Sequence, residues 1–111
     1  MVKLADVHAA RGKISDGIVS TPCKPSQAFQ QQVPCQLFWK FENLQRTGSF
    51  KDRGALNKLL QLSDQEKRKG VVTASAGNHA QAVAYHASRL GISSTVVMPE
   101  FTPLIKVSNT R

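Results

Sequence analysis

Between residues 71 and 98 two short β-branched runs flank a single helical stripe, and this alternation leaves few folds open. Val71-Val72-Thr73-Ala74 is a continuous run, and Ser75-Ala76-Gly77-Asn78 then turns the chain. Ala80, Val83, Ala84, Ala87 and Leu90 recur at helical spacing up to Gly91, and Thr95-Val96-Val97-Met98 forms a second run stopped by Pro99. Unbroken apolar runs on either side of a helix predict a βαβ unit whose parallel strands are covered on both faces. The class is therefore α/β. Parallel sheets are stable when several strands pair, and this chain supplies two, so the fold is expected to be incomplete. Thr102-Pro103 should open a further helix through Ile105 and Val107, with the chain stopping at Arg111 while that helix forms, as in a fragment of a longer protein.

Upstream the signals are shorter. Val2, Leu4, Val7, Ala10 and Ile14 predict a helix over residues 3–15 with Gly17 as its stop, and Thr21-Pro22 forces extended backbone. The Gln-rich stretch from Ser26 to Pro34 reads as a short helix and loop. Leu37-Phe38-Trp39-Lys40-Phe41-Glu42 places Leu37, Trp39 and Phe41 on one face of a strand. A loop over Asn43 to Ser49 follows, and then a helix from about Phe50, with Ala55, Leu56, Leu59 and Leu60 as its stripe and Thr47-Gly48-Ser49 offering capping hydroxyls. Ser63-Asp64-Gln65-Glu66 is a capping box, and Lys67-Arg68-Lys69-Gly70 suits the carboxyl end of that short helix.

The 111 residues leave room for one small domain, and 41% apolar content is that of a globular chain. A net charge of +8 invites an anionic polymer as partner. The densest basic run already serves a helix end, however, and the other charges lack interleaved aromatics, so no nucleic acid is expected. Nothing approaches the roughly 18 apolar residues of a membrane span, and the first residues lack a secretory signal's apolar block. No membrane partner is expected, and the protein reads as cytoplasmic. Cys23 and Cys35 match neither a redox pair nor a zinc set and read as two buried, inert thiols. His79 and His86, about 10 Å of helical rise apart, are too distant for one ion, so no metal is expected.

Two places could carry chemistry. Lys51, preceded by Phe50 at a helix amino end, would feel a positive dipole and partial desolvation, both of which favour the neutral amine that attacks a carbonyl. By itself, however, it reads as a solvated surface lysine. Ser75-Ala76-Gly77-Asn78-His79 lies where a parallel strand ends and a helix begins, the place where open α/β sheets hold ligands and free N–H groups attract anions. It is neither a dinucleotide fingerprint nor a P-loop, and by spacing alone it could be an ordinary capped turn. Glu42 and Asp52 lack a partner carboxylate and are given no acid–base role.

The segment Glu42-Asn43-Leu44-Gln45-Arg46-Thr47-Gly48-Ser49-Phe50-Lys51-Asp52-Arg53-Gly54-Ala55, followed by Val72-Thr73-Ala74-Ser75-Ala76-Gly77-Asn78-His79-Ala80-Gln81, closely resembles the serine/threonine dehydratases (threonine ammonia-lyases) among the fold-type-II pyridoxal-phosphate enzymes. Thr21-Pro22, Lys106-Val107 and Thr110-Arg111 extend the resemblance over almost the whole chain. It implies an incomplete tryptophan synthase β-like architecture. Residues 1–111 would be the front part of one catalytic domain, with about 1–50 starting the larger subdomain and about 51–111 giving an incomplete smaller α/β subdomain.

Carried over by position, the resemblance implies that Lys51 holds pyridoxal 5'-phosphate as a Schiff base, that Phe50 packs on its ring and that Asn78 bonds the ring hydroxyl. Ser75 and the backbone of Ala76, Gly77, Asn78 and His79 would hold the substrate carboxylate. The implied reaction converts L-threonine or L-serine into a 2-oxoacid and ammonia, with Lys51 removing the Cα proton. Serine racemases share both motifs but carry a serine where this chain has Ala76, which argues for elimination over racemisation. A non-catalytic short form is the third reading. The family's glycine-rich phosphate loop is absent, since Gly12, Gly17, Gly48, Gly54, Gly70, Gly77 and Gly91 never cluster, so the chain alone is expected to bind cofactor poorly. The full-length family member is expected to be a homo-oligomer acting on a small amino acid.

Overall fold

The computed structural model describes residues 1–110; Arg111, which the resemblance includes, lies outside the described residues. Helix α1 spans Leu4–Ile14, where Asp6 in the first turn accepts from the Lys3 backbone N–H and Arg11 and Lys13 occupy the last turn. Strands β1, Cys23–Pro25, and β2, Phe38–Lys40, pair antiparallel, with Lys24 opposite Trp39. Between them the expected short helix is not formed. Ser26 Oγ accepts from the Phe29 N–H and the Gln30 side chain bonds both the Cys35 carbonyl and the Leu37 N–H, so side chains take over backbone groups that a helix would use.

The second half holds α2 (Lys51–Leu60), α3 (Asp64–Lys69), β3 (Val71–Ala74), α4 (Asn78–Arg89), β4 (Ser94–Val97) and α5 (Leu104–Ser108). The expected capping box is present: Ser63 Oγ accepts from the Glu66 N–H while Glu66 accepts from the Ser63 N–H. Strands β3 and β4 pair parallel, Val71 with Ser94 through Ala74 with Val97, and α4 is the crossover between them. The apolar core lies where α2 and α4 meet this pair. Ala55, Ala82 and Val83 form one cluster, and Leu59, Ala87 and Ile92 another, with Val71 packed against both.

Both strands alternate half-buried and exposed residues, Val72 being 75% and Val97 55% exposed. The expectation of a sheet covered on both faces is thus corrected: the helices cover one face, and among the described residues none covers the other. A β-branched run alone does not distinguish a strand buried on two sides from one buried on one. Cys23 and Cys35 are exposed free thiols rather than buried ones, because each lies in the open front half. In α1 only Ile14 is buried, while Leu4 and Val7 face outward. At the end of α1 a Cβ on Gly17 would collide with the Leu56 side chain, so glycine there allows the turn to lie against α2.

Candidate active site

Helix α2 begins from a tightly tied loop. Gln45, buried, accepts from the Val19 N–H and donates to the Val19 carbonyl. Gly48 adopts φ +74°, and its N–H donates to the Gln45 carbonyl. At Thr47 the expected hydroxyl cap works in reverse. Asp52 Oδ2 accepts from the Thr47 N–H and Oδ1 from the Thr47 hydroxyl, both at 3.0 Å, so the acid inside the helix closes the loop ahead of it. Ser49 Oγ accepts from the Lys51 N–H. Buried Ser49 and Asp52 thereby bracket exposed Phe50 and Lys51 and project them outward as a pair, with the Lys51 amine 4.6 Å from the centre of the Phe50 ring. The expected partial desolvation of Lys51 is not seen, since Phe50 is 59% exposed and forms only a one-sided platform. Among the described residues Lys51 has no carboxylate partner.

The second predicted group sits at the start of α4. The Ser75 N–H donates to the Val97 carbonyl and so continues the β3–β4 ladder, while Ser75 Oγ accepts from the Gly77 N–H. Ser75, Ala76 and Gly77 are half-buried; Asn78 and His79 are exposed. No side chain caps this helix, so its first N–H groups stay open at the positive end of the dipole, directly beyond the carboxyl end of β3. The structure thus sets Phe50 with Lys51 at the amino end of α2, and Ser75 to His79 at that of α4. These two helices pack on each other through Ala55, Ala82 and Val83. A cavity of about 570 Å³ lies elsewhere, between α4, β4 and α5, lined by Ala84, Ser94, Val96 and Val107 among others. Among the described residues no three metal-ligating side chains cluster.

Two carboxylates carry more than their sequence positions suggested. Glu42 takes a fork of two bonds from Arg53, at 2.7 and 2.8 Å, with further bonds from Thr21 and Gln45. The Arg53 bonds, against the opposing effect of burial and with help from Thr21 and Gln45, hold the Glu42 carboxyl down to about 2. Asp52 bonds His86 Nε2 at 2.9 Å, with both side chains 1% exposed. Burial pushes the His86 imidazole down in pKa towards its neutral form, as do Arg89 and Arg46, while Asp52 opposes this. Sequence reasoning missed both partnerships. Glu42 and Arg53 are eleven residues apart and Asp52 and His86 thirty-four, spacings without a periodic signature. The one available signal was an acid and a histidine falling on helix faces otherwise filled by Ala and Leu.

Comparison with known proteins places the chain in a family. The sequence profile of a pyridoxal-phosphate dependent enzyme family matches residues 14–111. The chain belongs to that family. It is 49% identical over 109 residues to the catabolic L-threonine dehydratase of Escherichia coli strain K12, a match covering 98% of this chain and 33% of that protein. It is 44% identical over 111 residues to the L-threonine ammonia-lyase of Thermotoga maritima, covering 100% of this chain and 28% of the other. The crystal structure of serine racemase from Dictyostelium discoideum superposes with a TM-score of 0.91 at 39% identity, covering 98% of this chain and 36% of that one. The chain spans about a third of the length of the curated relatives it matches.

The donor set fits the family's cofactor on its aldehyde side. An unpaired primary amine at Lys51 suits the aldehyde, the exposed Asn78 amide suits the ring hydroxyl, and the open N–H groups at the start of α4 suit an anion. A clustered-glycine cradle for the phosphate does not occur in this sequence.

Proposed function

We propose that this chain carries the amine-bearing part of a pyridoxal-phosphate dependent ammonia-lyase that dehydrates and deaminates L-threonine or L-serine to a 2-oxoacid and ammonia. The observation that carries this reading is a packed helix pair, α2 on α4, whose amino ends present an exposed, carboxylate-free lysine and an uncapped set of N–H groups. The names of the Escherichia coli and Thermotoga maritima relatives support the same substrate class.

When bound, pyridoxal phosphate supplies an aldehyde that takes up primary amines and a conjugated ring that stabilises negative charge at the Cα of an attached amino acid. Lys51 would hold the cofactor through its aldehyde, and the free Nζ would be the base that accepts the Cα proton. Ser75 and the N–H groups from Ala76 to His79 bind the substrate carboxylate, which the amino end of α4 favours by about 0.3–1 kcal/mol, and so set which face of Cα meets Lys51. Asn78 would bond the ring hydroxyl, and Phe50 would offer the ring one apolar face. Loss of the Cα proton and the β-hydroxyl removes water from the substrate, and hydrolysis of the dehydrated amine yields the 2-oxoacid and ammonia.

The racemase alternative has specific support in the close backbone match to a serine racemase. Ala76 weighs against it, because a methyl group has no proton to return to Cα. The exposed free thiols of Cys23 and Cys35 support a reducing, cytoplasmic setting. Exposed Trp39, Val72 and Val97 support further protein packing here, in line with a division near residue 50 between two subdomains and a homo-oligomeric whole protein.

The test is to incubate the chain with pyridoxal phosphate, reduce with borohydride and map the modified peptide. This is done for the 111 residues alone and for the chain joined to the remaining two thirds of the Escherichia coli relative. A single adduct on Lys51, lost in Lys51→Ala, is expected in the joined protein, with pyruvate from L-serine or 2-oxobutanoate from L-threonine. Label scattered over surface lysines overturns the assignment of Lys51. D-serine formed from L-serine as fast as pyruvate overturns elimination in favour of racemisation.

A further inference from the structure

Among the described residues Asp52 and His86 are the largest fully buried side chains and the only buried polar ones from residue 51 onwards, and the chemistry proposed above leaves both unused. We infer that they form a positioning pair for Lys51, a claim that rests on the reading of Lys51 as the cofactor-bearing amine. Asp52 follows Lys51 directly in the first turn of α2 and accepts from three donors: the Thr47 N–H, the Thr47 hydroxyl and His86 Nε2. The first two close the loop ahead of Lys51, and the third ties that turn to α4, the helix whose amino end carries Asn78 and His79. One carboxylate thereby couples the backbone that presents the amine to the helix that presents the anion site.

The protonation state follows from the surroundings. His86 faces Asp52 on α2, Arg46 in the loop before it, and Arg89 and Tyr85 on its own helix, and it shares a cleft with Lys13 and Asp16 from the end of α1. Burial and the two arginines favour the neutral imidazole, so Nε2 carries the proton and donates to Asp52 Oδ1. Nδ1 is then a buried acceptor without a partner. A purely structural contact at this spot would be served better by an apolar side chain, since an orphaned acceptor costs stability. Retaining the polar pair makes sense if holding the α2 turn in one geometry matters more than that cost.

The experiment compares wild type with Asp52→Asn, His86→Gln and His86→Leu, each first checked for an intact fold by circular dichroism and urea titration. Every lysine is labelled with trace acetic anhydride, and the reactivity of Lys51 is read relative to that of Lys58 on the same helix. Gln retains a donor for Asp52, whereas Leu takes away the one donor that comes from α4 and leaves the carboxylate only its two bonds from Thr47. His86→Leu is expected to change the Lys51/Lys58 ratio by about tenfold, the effect of one lost charged hydrogen bond. Asp52→Asn should change it less, and His86→Gln should restore it to within about twofold. An unchanged ratio in folded His86→Leu and Asp52→Asn overturns the positioning role. If His86→Leu does not fold, the decision passes to Asp52→Asn, where an unchanged ratio is equally fatal. Borohydride trapping with pyridoxal phosphate, on wild type and the same variants joined to the remaining two thirds of the Escherichia coli relative, separates the two claims. A changed ratio without any Lys51 adduct removes the cofactor reading and leaves the positioning intact, whereas a normal adduct with an unchanged ratio does the reverse.

Discussion

Residues 1–50 bury Thr21, Ser26, Gln45 and Ser49, with Ile14 as their apolar member, whereas from residue 51 onwards the buried set is Ala55, Leu56, Leu59, Ala80, Ala82, Val83, Ala87 and Ile92 around Asp52 and His86. The front half is held by polar knots, Glu42 to Thr21, Gln45 to Val19 and Lys40 Nζ to the Thr21 carbonyl, and Glu42 also ties it to Arg53 of the back half. The back half is held by apolar packing of α2 and α4 on β3 and β4. Hydrogen bonds fix direction and lose strength when their groups change charge, while apolar contact depends on volume and is nearly indifferent to pH. Lys51 stands on the seam, at the first residue of the apolar half and just after the last of the polar loop.

The largest effect that sharpens this contrast is expected in the apolar half. Leu59 is 3% exposed and clusters with Ala87 and Ile92. Leu59→Ala removes its outer methyls and leaves a cavity between α2 and α4, at an expected cost of about 2–5 kcal/mol in urea denaturation. The loss should be the same at pH 7 and pH 5. A cost below about 1 kcal/mol would mean that the helix pair is not the core of the molecule.

Next in size is the knot at Glu42. Its folded carboxyl sits at about 2, below the ordinary 4.5, so the native state binds fewer protons than the unfolded chain. The stabilisation is fully present above pH 4.5 and is lost as pH falls from there towards 2, by on the order of 2–3 kcal/mol. Glu42→Gln should be less stable than wild type at pH 7 and should converge with it in acid, as measured by the urea midpoint across that range. Parallel pH curves for the two proteins would show that the front half is not held by this charge.

The apolar half was largely legible in the sequence and the polar half was not, for the same reason. Helical and strand periods mark residues that share one face, so the stripe Ala80, Val83, Ala87 and the runs at 71–74 and 95–98 announce α4, β3 and β4, the last of which spans Ser94–Val97. Ser63 with Glu66 announced α3 because a capping box is local. Partnerships such as Glu42 with Arg53 or Asp52 with His86 depend on how helices cross, which no local spacing encodes. The exposure of the second sheet face and of both cysteines is also a property of what surrounds a segment. For the site, spacing offered only a lysine at a helix start and a turn after a strand; the long motifs around Lys51 and Ser75 to His79 carried the proposal of their roles.

The smallest expected effect lies on the open hairpin of the front half. Trp39 is 47% exposed on β2, and its ring meets Phe29 edge-on, with centroids 5.9 Å apart at 72°. Such a pair adds about 1 kcal/mol, and the half-exposed indole loses little transfer free energy when truncated. Trp39→Ala and Phe29→Ala should therefore each cost about 1 kcal/mol, and the double variant hardly more than either alone, because each single change already removes the contact. A Trp39→Ala cost equal to that of Leu59→Ala would break the contrast between the halves, since it would place a second apolar core where polar knots are expected to carry the fold. Additive costs for the two aromatic changes would instead mean that the rings pack on other partners and that the hairpin is held by the Lys24–Trp39 strand pairing alone.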